Sequence, residues 1–160
     1  MKKLIASMLM VTMLVSLSLP AFAAEGSEMP VVGHVLTQEE TELFWAEHQK
    51  KVDMNVLLSL PMMATVKLNR NVDGFQGVGC GYFVAEDSNV SFVISNAPGA
   101  STYNVGMLDS HGNPVSDWYP NVPVNNPVNF RYLIPGEEYH FVVSSSDVPE
   151  KGCTAVYEVY

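Results

Sequence analysis

Histidines and cysteines are the residues of this sequence best suited to catalysis or to metal binding. The four histidines have neither the HExxH nor the His-x-His spacing typical of zinc ligands. They stand at His34, His48, His111 and His140, and the last is predicted to lie on an outward strand face. No serine lies in a GxSxG elbow, and Cys80, in GVGCGYF, has no neighbouring base that would activate a thiolate. The sequence therefore predicts a protein that is not an enzyme and has no cofactor.

Carboxylates near predicted turns form a second set of candidate ligands. Calcium takes oxygen ligands, and Asp109 and Asp117, which flank one predicted hairpin, are the best pair. The chain has no DxDxDG loop, and aspartate also favours turns through its own local hydrogen bonds. We assign no metal ligands and leave calcium at this hairpin as an alternative.

An aromatic pair in the proline-rich stretch SDWYPNVP is the best candidate for binding. Trp118 and Tyr119 supply flat rings at a small entropy cost, and the amide of Asn121 can hydrogen-bond a hydroxyl group. These residues predict a glycan- or peptide-binding loop. In the alternative, which we favour for Trp118, the ring folds back and caps the open end of the core, because loops of this length commonly cover a sheet edge.

The first 23 residues are typical of a secretory signal peptide. Lys2 and Lys3 precede an apolar run that ends at the cleavage site Ala21-Phe22-Ala23. Cleavage there removes two of the eight basic residues and no acidic one, so the formal net charge of −9 becomes −11. We predict a secreted protein, extracellular or periplasmic, with no membrane insertion after cleavage. The acidic balance also argues against nucleic acid as a partner.

The elements that position these residues follow from capping and periodicity. Thr37 and Glu40 form a capping box that predicts a helix from Gln38 to about Lys51, within an extended and helical segment at 24–60. In residues 61–160 apolar and polar side chains alternate along about seven segments, which are separated by Gly, Pro, Asn and Asp turns. Each of these segments is predicted to form a strand. The predicted fold class is mainly β, an antiparallel β-sandwich of jelly-roll or immunoglobulin-like type with a short N-terminal helix.

The two cysteines lie on predicted core faces, Cys80 beside Tyr82 and Val84, and Cys153 beside Tyr157. In an exported protein an even cysteine count indicates a disulfide, so we predict a Cys80–Cys153 bridge, with two buried free thiols as the alternative. The bridge would close a loop of about 70 residues and contribute roughly 4 kcal/mol in the chain-entropy model.

Two stretches carry a resemblance, VSFVISNAPGASTYNVGMLDSHGNPVS and NFRYLIPGEEYHFVVSSS. Together they resemble the bacterial pre-peptidase C-terminal type of domain, a jelly-roll-like sandwich appended to secreted enzymes. LIPGEEYHFVV also resembles the strand-turn-strand corner of fibronectin type III domains. The resemblance runs from about Gly77 to Tyr160 and implies a sandwich with an accessory role. Pro135 and Gly136 suit a turn, after which Tyr139 can pack inward while its hydroxyl bonds a carbonyl of the turn.

The function predicted from the sequence is a secreted, non-catalytic binding or accessory module that contacts a protein or a glycan through its loops. A structural domain of the cell envelope is the main alternative, and an enzyme or an enzyme inhibitor is the third. An enzyme would need a cleft with convergent titratable groups, and the sequence contains no such set.

Overall fold

The computed structural model describes residues 30–53, 61–70 and 74–160, with the side chains of 50–53 left out. The predicted signal peptide therefore lies outside the described residues. Within them are one α-helix, α1 (Gln38–Asp53), and a 3-10 turn at Gly74–Gln76. The strands are β1 (Val32–Val35), β2 (Met62–Leu68), β3 (Val78–Val84), β4 (Asn89–Asn96), β5 (Thr102–Asp109), β6 (Tyr119–Pro123), β7 (Val128–Arg131), β8 (Glu138–Ser144) and β9 (Cys153–Val159).

Two antiparallel sheets form the predicted sandwich. One has the strand order β1-β7-β4-β9-β2 and the other β3-β8-β5-β6. The rings of Phe92, Phe130 and Phe141 meet between the sheets, with centroids 4.5 Å apart for Phe92–Phe141 and 5.3 Å for Phe130–Phe141. All three side chains are fully buried, as expected where the inward faces of two sheets interdigitate. The predicted fold class is therefore confirmed.

Two strands lie where the sequence predicted none. β1 pairs with β7 at one edge of the five-stranded sheet, although its residues belong to the segment predicted to be extended or loose. β6 lies within the proline-rich stretch and pairs with β5 at the edge of the four-stranded sheet. Pro120 and Pro123 fit there because an edge strand has one row of backbone N–H groups that need no ladder partner. The sandwich thus begins before residue 61.

Helix α1 begins as the capping box predicts. The Thr37 hydroxyl accepts a hydrogen bond from the N–H of Glu40 at 3.3 Å, and the Glu40 carboxylate accepts one from the N–H of Thr37 at 2.8 Å. These bonds, together with one to His34, lower the pKa of Glu40 to about 2. The helix continues to Asp53, two residues beyond the predicted end at Lys51.

Aromatic side chains hold α1 against the sandwich. The ring of Phe44 meets that of Tyr160 edge to face, with centroids 5.1 Å apart. The indole N–H of Trp45 donates to the carbonyl of Asn125 at 3.1 Å. The helix therefore docks through a short cluster rather than a long apolar stripe, and Leu43 stays exposed. No helix among the described residues is long and apolar enough to cross a membrane.

A β-bulge in β3 changes the predicted orientation of its side chains. The register with β8 shifts between Gly79 and Tyr82, so that Cys80 is buried while Tyr82 and Val84 are exposed. The sequence predicted Cys80, Tyr82 and Val84 on one face of the strand, and that prediction was wrong. A bulge inserts an extra residue into one strand, and this insertion breaks the period-2 alternation on which the prediction depended.

Candidate functional site

A groove opens at the end of the sandwich where β5 and β7 finish and β8 begins. We call it the end groove, and its volume is about 240 Å³. Three segments that are distant in sequence form its walls: the residues before β1, the β5–β6 connection and the β7–β8 connection. The lining residues are Pro30, Val31, Pro114, Val115, Tyr132, Ile134 and Tyr139.

Backbone pairing fixes the first two walls relative to each other. The N–H of Val31 donates to the carbonyl of Val115 at 3.1 Å, and Val31 forms a parallel bridge with Ser116. The N–H of Val115 in turn donates to the carbonyl of Met107 in β5 at 3.0 Å. The Pro114–Val115 wall is therefore continuous with the central part of the four-stranded sheet, and such backing makes the groove a pre-formed surface.

The turn before Pro114 is held by the carboxylate of Asp109. This carboxylate accepts hydrogen bonds from the backbone N–H groups of His111 and Asn113, both at 2.8 Å, and from the Asn113 side chain at 2.9 Å. The bonds from Asn113 are the main reason that the pKa of Asp109 is lowered. Gly112 has φ +84°, a conformation that favours glycine. Asp109 therefore has a structural role in shaping this wall.

The third wall contains an unusual backbone conformation. Tyr132 has φ +68°, which is rare for a bulky residue, and its side chain is 48% exposed. This conformation ends β7, and Tyr132 and Ile134 lie at the surface. The alternation that begins at Val128 and Phe130 in the sequence VNFRYLI predicts that both face the core, and that prediction was wrong. Residues in such conformations cluster at functional sites, so we take Tyr132 as a marker of the groove.

Tyr139 lines the groove and packs inward after the turn, as predicted, but its hydroxyl bonds a backbone N–H of the turn where the sequence predicted a carbonyl partner. Its ring is buried, and its hydroxyl oxygen accepts a hydrogen bond from the N–H of Ile134 at 3.1 Å. Gly136 has φ +91° in the turn between them. Among the described residues the hydroxyl proton of Tyr139 has no acceptor. Tyr139 can therefore donate one hydrogen bond to a ligand.

The predicted binding residues do not line the end groove and are not presented together. Trp118 is half-buried on the outer face of the four-stranded sheet, where it packs on Phe75 with ring centroids 5.3 Å apart. Tyr119 turns the other way and meets Phe130 edge to face at 5.6 Å. Trp118 therefore covers a sheet face rather than the open end of the core.

A glycine explains why Trp118 and Phe75 can lie on the sheet. A Cβ atom at Gly106, in the middle of β5, would come within 2.4 Å of Phe75 and 2.8 Å of Trp118. The two rings thus occupy the space of a missing side chain. Burial leaves the indole Nε1 of Trp118 without a hydrogen-bond partner among the described residues.

Two asparagines of the same stretch make hydrogen bonds within the fold, Asn121 through its backbone and Asn126 through its side chain. Asn121 is exposed with φ +56°, and its backbone N–H donates to the side chain of Asn104 at 2.8 Å. The amide of Asn126 donates to the carbonyl of Leu36 at 2.9 Å and so holds the chain just before α1. The amides of Asn104 and Asn126 are therefore already engaged within the protein.

Both cysteines contact the core, as the sequence predicted, and both are free thiols. Cys80 is buried in β3, and this burial raises the pKa of its thiol to about 12. Cys153 is half-buried at the start of β9, and burial and the nearby Asp147 carboxylate raise its pKa. The structure therefore does not join them, and the Cys80–Cys153 bridge stays a prediction about the exported protein.

Histidines and carboxylates do not converge into a metal centre within the described ranges, where no cluster of three or more His, Cys, Asp or Glu has suitable geometry. His140 was predicted to face outward. It does lie on the outer face of its sheet, where the Tyr82 ring covers it at a centroid distance of 4.4 Å. Asp109 and Asp117, the pair considered for calcium, lie on either side of Pro114 and Val115 in the sequence and so bracket that wall of the groove.

Comparisons with protein-family models, with curated proteins and with solved structures give no match for this chain. The resemblance to pre-peptidase C-terminal and fibronectin type III domains therefore depends on the quoted residues alone and stays a prediction. Sequence analysis predicted none of the end-groove residues as binding residues, and among them it gave only Tyr139 a role, a structural one in the turn. Their convergence depends on long-range pairing, although LIPGEEY did indicate a turn at the place where the third wall forms.

Proposed function

We propose that the protein is a secreted, non-catalytic binding module that holds an extended segment of a partner protein in the end groove. The observation that supports this most is the groove itself, an apolar concavity built by three loops and backed by rigid strands. Binding residues are commonly placed on loops that a rigid scaffold positions. This proposal keeps the loop-mediated binding predicted from the sequence but moves it away from Trp118 and Tyr119.

The composition of the groove favours a protein ligand over a glycan. Sugars need several hydrogen-bonding groups around an aromatic plane, whereas the groove walls are formed largely by proline, valine and isoleucine side chains. Tyr132 and Tyr139 add two rings among prolines, and aromatic-lined grooves suit extended, proline-containing segments. The spare hydroxyl proton of Tyr139 can bond one backbone carbonyl of such a segment.

The size of the groove favours one or two side chains rather than a whole small molecule. Its volume of about 240 Å³ lies below the roughly 300–1,000 Å³ of sites that enclose drug-sized ligands. A contact of this size buries less than a standard protein interface, so we expect weak, transient binding.

An unbiased peptide array probed with the full chain tests this proposal. Tyr132→Asn removes the ring from the groove but keeps a residue type that tolerates positive φ. Tyr82→Thr removes an equally exposed tyrosine from β3, outside the groove, and is the matched control. We expect peptides that the wild type and Tyr82→Thr retain and that Tyr132→Asn loses. If Tyr132→Asn retains the same peptides, or if the wild type retains none, the proposal is wrong.

A further inference from the structure

The charges of the sandwich are distributed unequally between its two ends. Acidic side chains surround the end that contains the groove, and Arg131 is the one Lys or Arg side chain that the structure places there. The acidic residues are Glu86, Asp87, Asp109, Asp117, Glu137 and Glu138. The other cationic side chains described, Lys67, Arg70 and Lys151, lie in or beside β2 and β9 at the opposite end.

Three of these carboxylates belong to the segments that build the groove. Glu137 donates its N–H to the carbonyl of Ile134 at 3.1 Å, and Glu138 directly precedes Tyr139. Asp117 follows Ser116, the bridge partner of Val31. The three residues, which we call the rim carboxylates, therefore belong to the segments that form the apolar groove and lie at the same end of the sandwich.

These rim carboxylates are free to act on a ligand. Glu137, Glu138 and Asp117 are exposed, and in the described part of the chain their side chains form no ion pair or hydrogen bond. Asp109 differs because its oxygens hold the hairpin turn. Arg131 donates its Nε–H to the neutral amide of Asn129 at 3.2 Å, so its positive charge remains and offsets only one of the six carboxylates. This end of the sandwich therefore carries a net negative charge.

From this juxtaposition we infer that the end groove selects cationic segments, in which an apolar or proline residue enters the groove and flanking lysine or arginine residues meet the rim. The inference rests on the proposed function and adds the chemical class of its ligand. Opposite charge at the rim of an interface raises the association rate and suppresses partners of the wrong charge. An acidic segment with the same apolar centre is then repelled.

Three synthetic peptides test the inference by fluorescence anisotropy with the full chain. Each has the same Pro-Leu-Pro-Leu centre, flanked by lysines, serines or glutamates. We expect the lysine-flanked peptide to bind about tenfold more tightly than the serine-flanked one at low ionic strength, and the glutamate-flanked one to bind most weakly. Because the rim is exposed, the lysine preference should largely disappear near 1 M salt, where the Debye length falls to about 3 Å.

Two double variants test whether the preference for the lysine-flanked peptide arises from the carboxylates beside the groove. Glu137→Gln with Glu138→Gln should remove most of the lysine preference. Glu39→Gln with Glu150→Gln removes the same net charge from α1 and from the far end, and should leave the preference unchanged. A lysine preference that survives Glu137→Gln with Glu138→Gln, or that survives Tyr132→Asn, would mean non-specific attraction and would overturn the inference.

The remaining outcomes separate the inference from the proposed function. If all three peptides bind equally and Tyr132→Asn abolishes their binding, the groove binds peptides without charge selection, so the inference is wrong and the function stands. If none of the three binds, the inference is wrong, and the array decides the function. Array peptides whose binding depends on Tyr132 would then support the proposed function. An array that retains no peptide would contradict both the proposed function and the inference.

Discussion

The backbone N–H of Gly33 donates to the hydroxyl oxygen of Tyr119 at 2.7 Å, which joins β1, an edge strand of one sheet, to β6, an edge strand of the other. A Cβ atom at Gly33 would lie 2.4 Å from the Tyr119 ring, so the close approach requires glycine. This contact closes one open side of the sandwich. It also explains why the ring of Tyr119 packs against the core and is only partly exposed.

Tyr119→Phe should therefore lower the free energy of unfolding by about 1 kcal/mol, because the ring stays while one hydrogen bond to a backbone donor is lost. Urea unfolding of the purified protein measures the change. Tyr82→Phe, which removes a hydroxyl from an exposed tyrosine, is the control and should have almost no effect. Equal midpoints for wild type and Tyr119→Phe would contradict a stabilising role for the bond.

Trp118→Ala should lower the free energy of unfolding by about 1–3 kcal/mol. The ring is half-buried, so the loss lies below the roughly 3–5 kcal/mol of a fully buried aromatic residue and above the roughly 0.5 kcal/mol of an exposed one. Leu43→Ala, at a side chain that is 65% exposed, is the control for an exposed apolar residue. A change in Trp118→Ala as small as that of the control would mean that the ring does not pack on the sheet.

Asp147 makes the stability depend on pH in the acidic range. Partial burial opposes its ionisation, but hydrogen bonds from Ser101 and Ser145 lower its pKa from 3.8 to about 2. Because the folded state has the lower pKa, this carboxylate stabilises the fold above its ordinary pKa, and its contribution is lost as the pH falls from about 4 to about 2.

Asp147→Asn should therefore unfold at lower urea concentration than the wild type near neutral pH, and the difference should shrink towards pH 2. Comparing the two proteins at each pH cancels the contributions to stability of other groups that titrate in the same pH range, such as Glu40. Glu150→Gln, at an exposed carboxylate nearby, should show no such narrowing. A difference that is constant with pH would assign the effect to something other than ionisation.

Mass spectrometry of the exported protein tests the cysteines. The Cys80–Cys153 bridge predicts no alkylation in denaturant without reductant, and two labelled thiols would show that the bridge is absent. In the reduced, folded protein we expect Cys153 to be alkylated well before Cys80. Cys80 is buried and its pKa is raised to about 12, so its thiolate is scarce and shielded. Faster labelling of Cys80 would contradict its position in the core.

Local signals in the sequence predicted much of the fold. The capping box of Thr37 and Glu40 marked the helix start, and alternation marked the central strands. Predictions failed where a backbone irregularity interrupts the period, at the bulge beside Cys80 and at Tyr132. Both irregularities depend on strand pairing with distant parts of the chain, and composition does not encode them locally.

The candidate site was less accessible to sequence analysis. The sequence predicts Trp118 and Tyr119 as binding residues because adjacent aromatic residues on a proline-rich loop are typical of binding surfaces. Neighbouring residues of an extended strand point to opposite sides, so a position at the start of β6 separates the two rings. The end groove instead brings together Val31 and Val115. Their proximity follows from the parallel bridge between Val31 and Ser116, which no local sequence pattern predicts.

The unequal charge of the two ends has a practical consequence for handling the protein. Lys67 and Lys151, whose amines are exposed, both lie away from the groove. Coupling to a sensor surface through these lysines would orient the molecule with its groove towards the solution. Adsorption to a cationic resin would do the reverse and press the acidic rim against the support. Immobilisation through Lys67 and Lys151 therefore leaves the groove open to a ligand, and adsorption through the acidic end covers it.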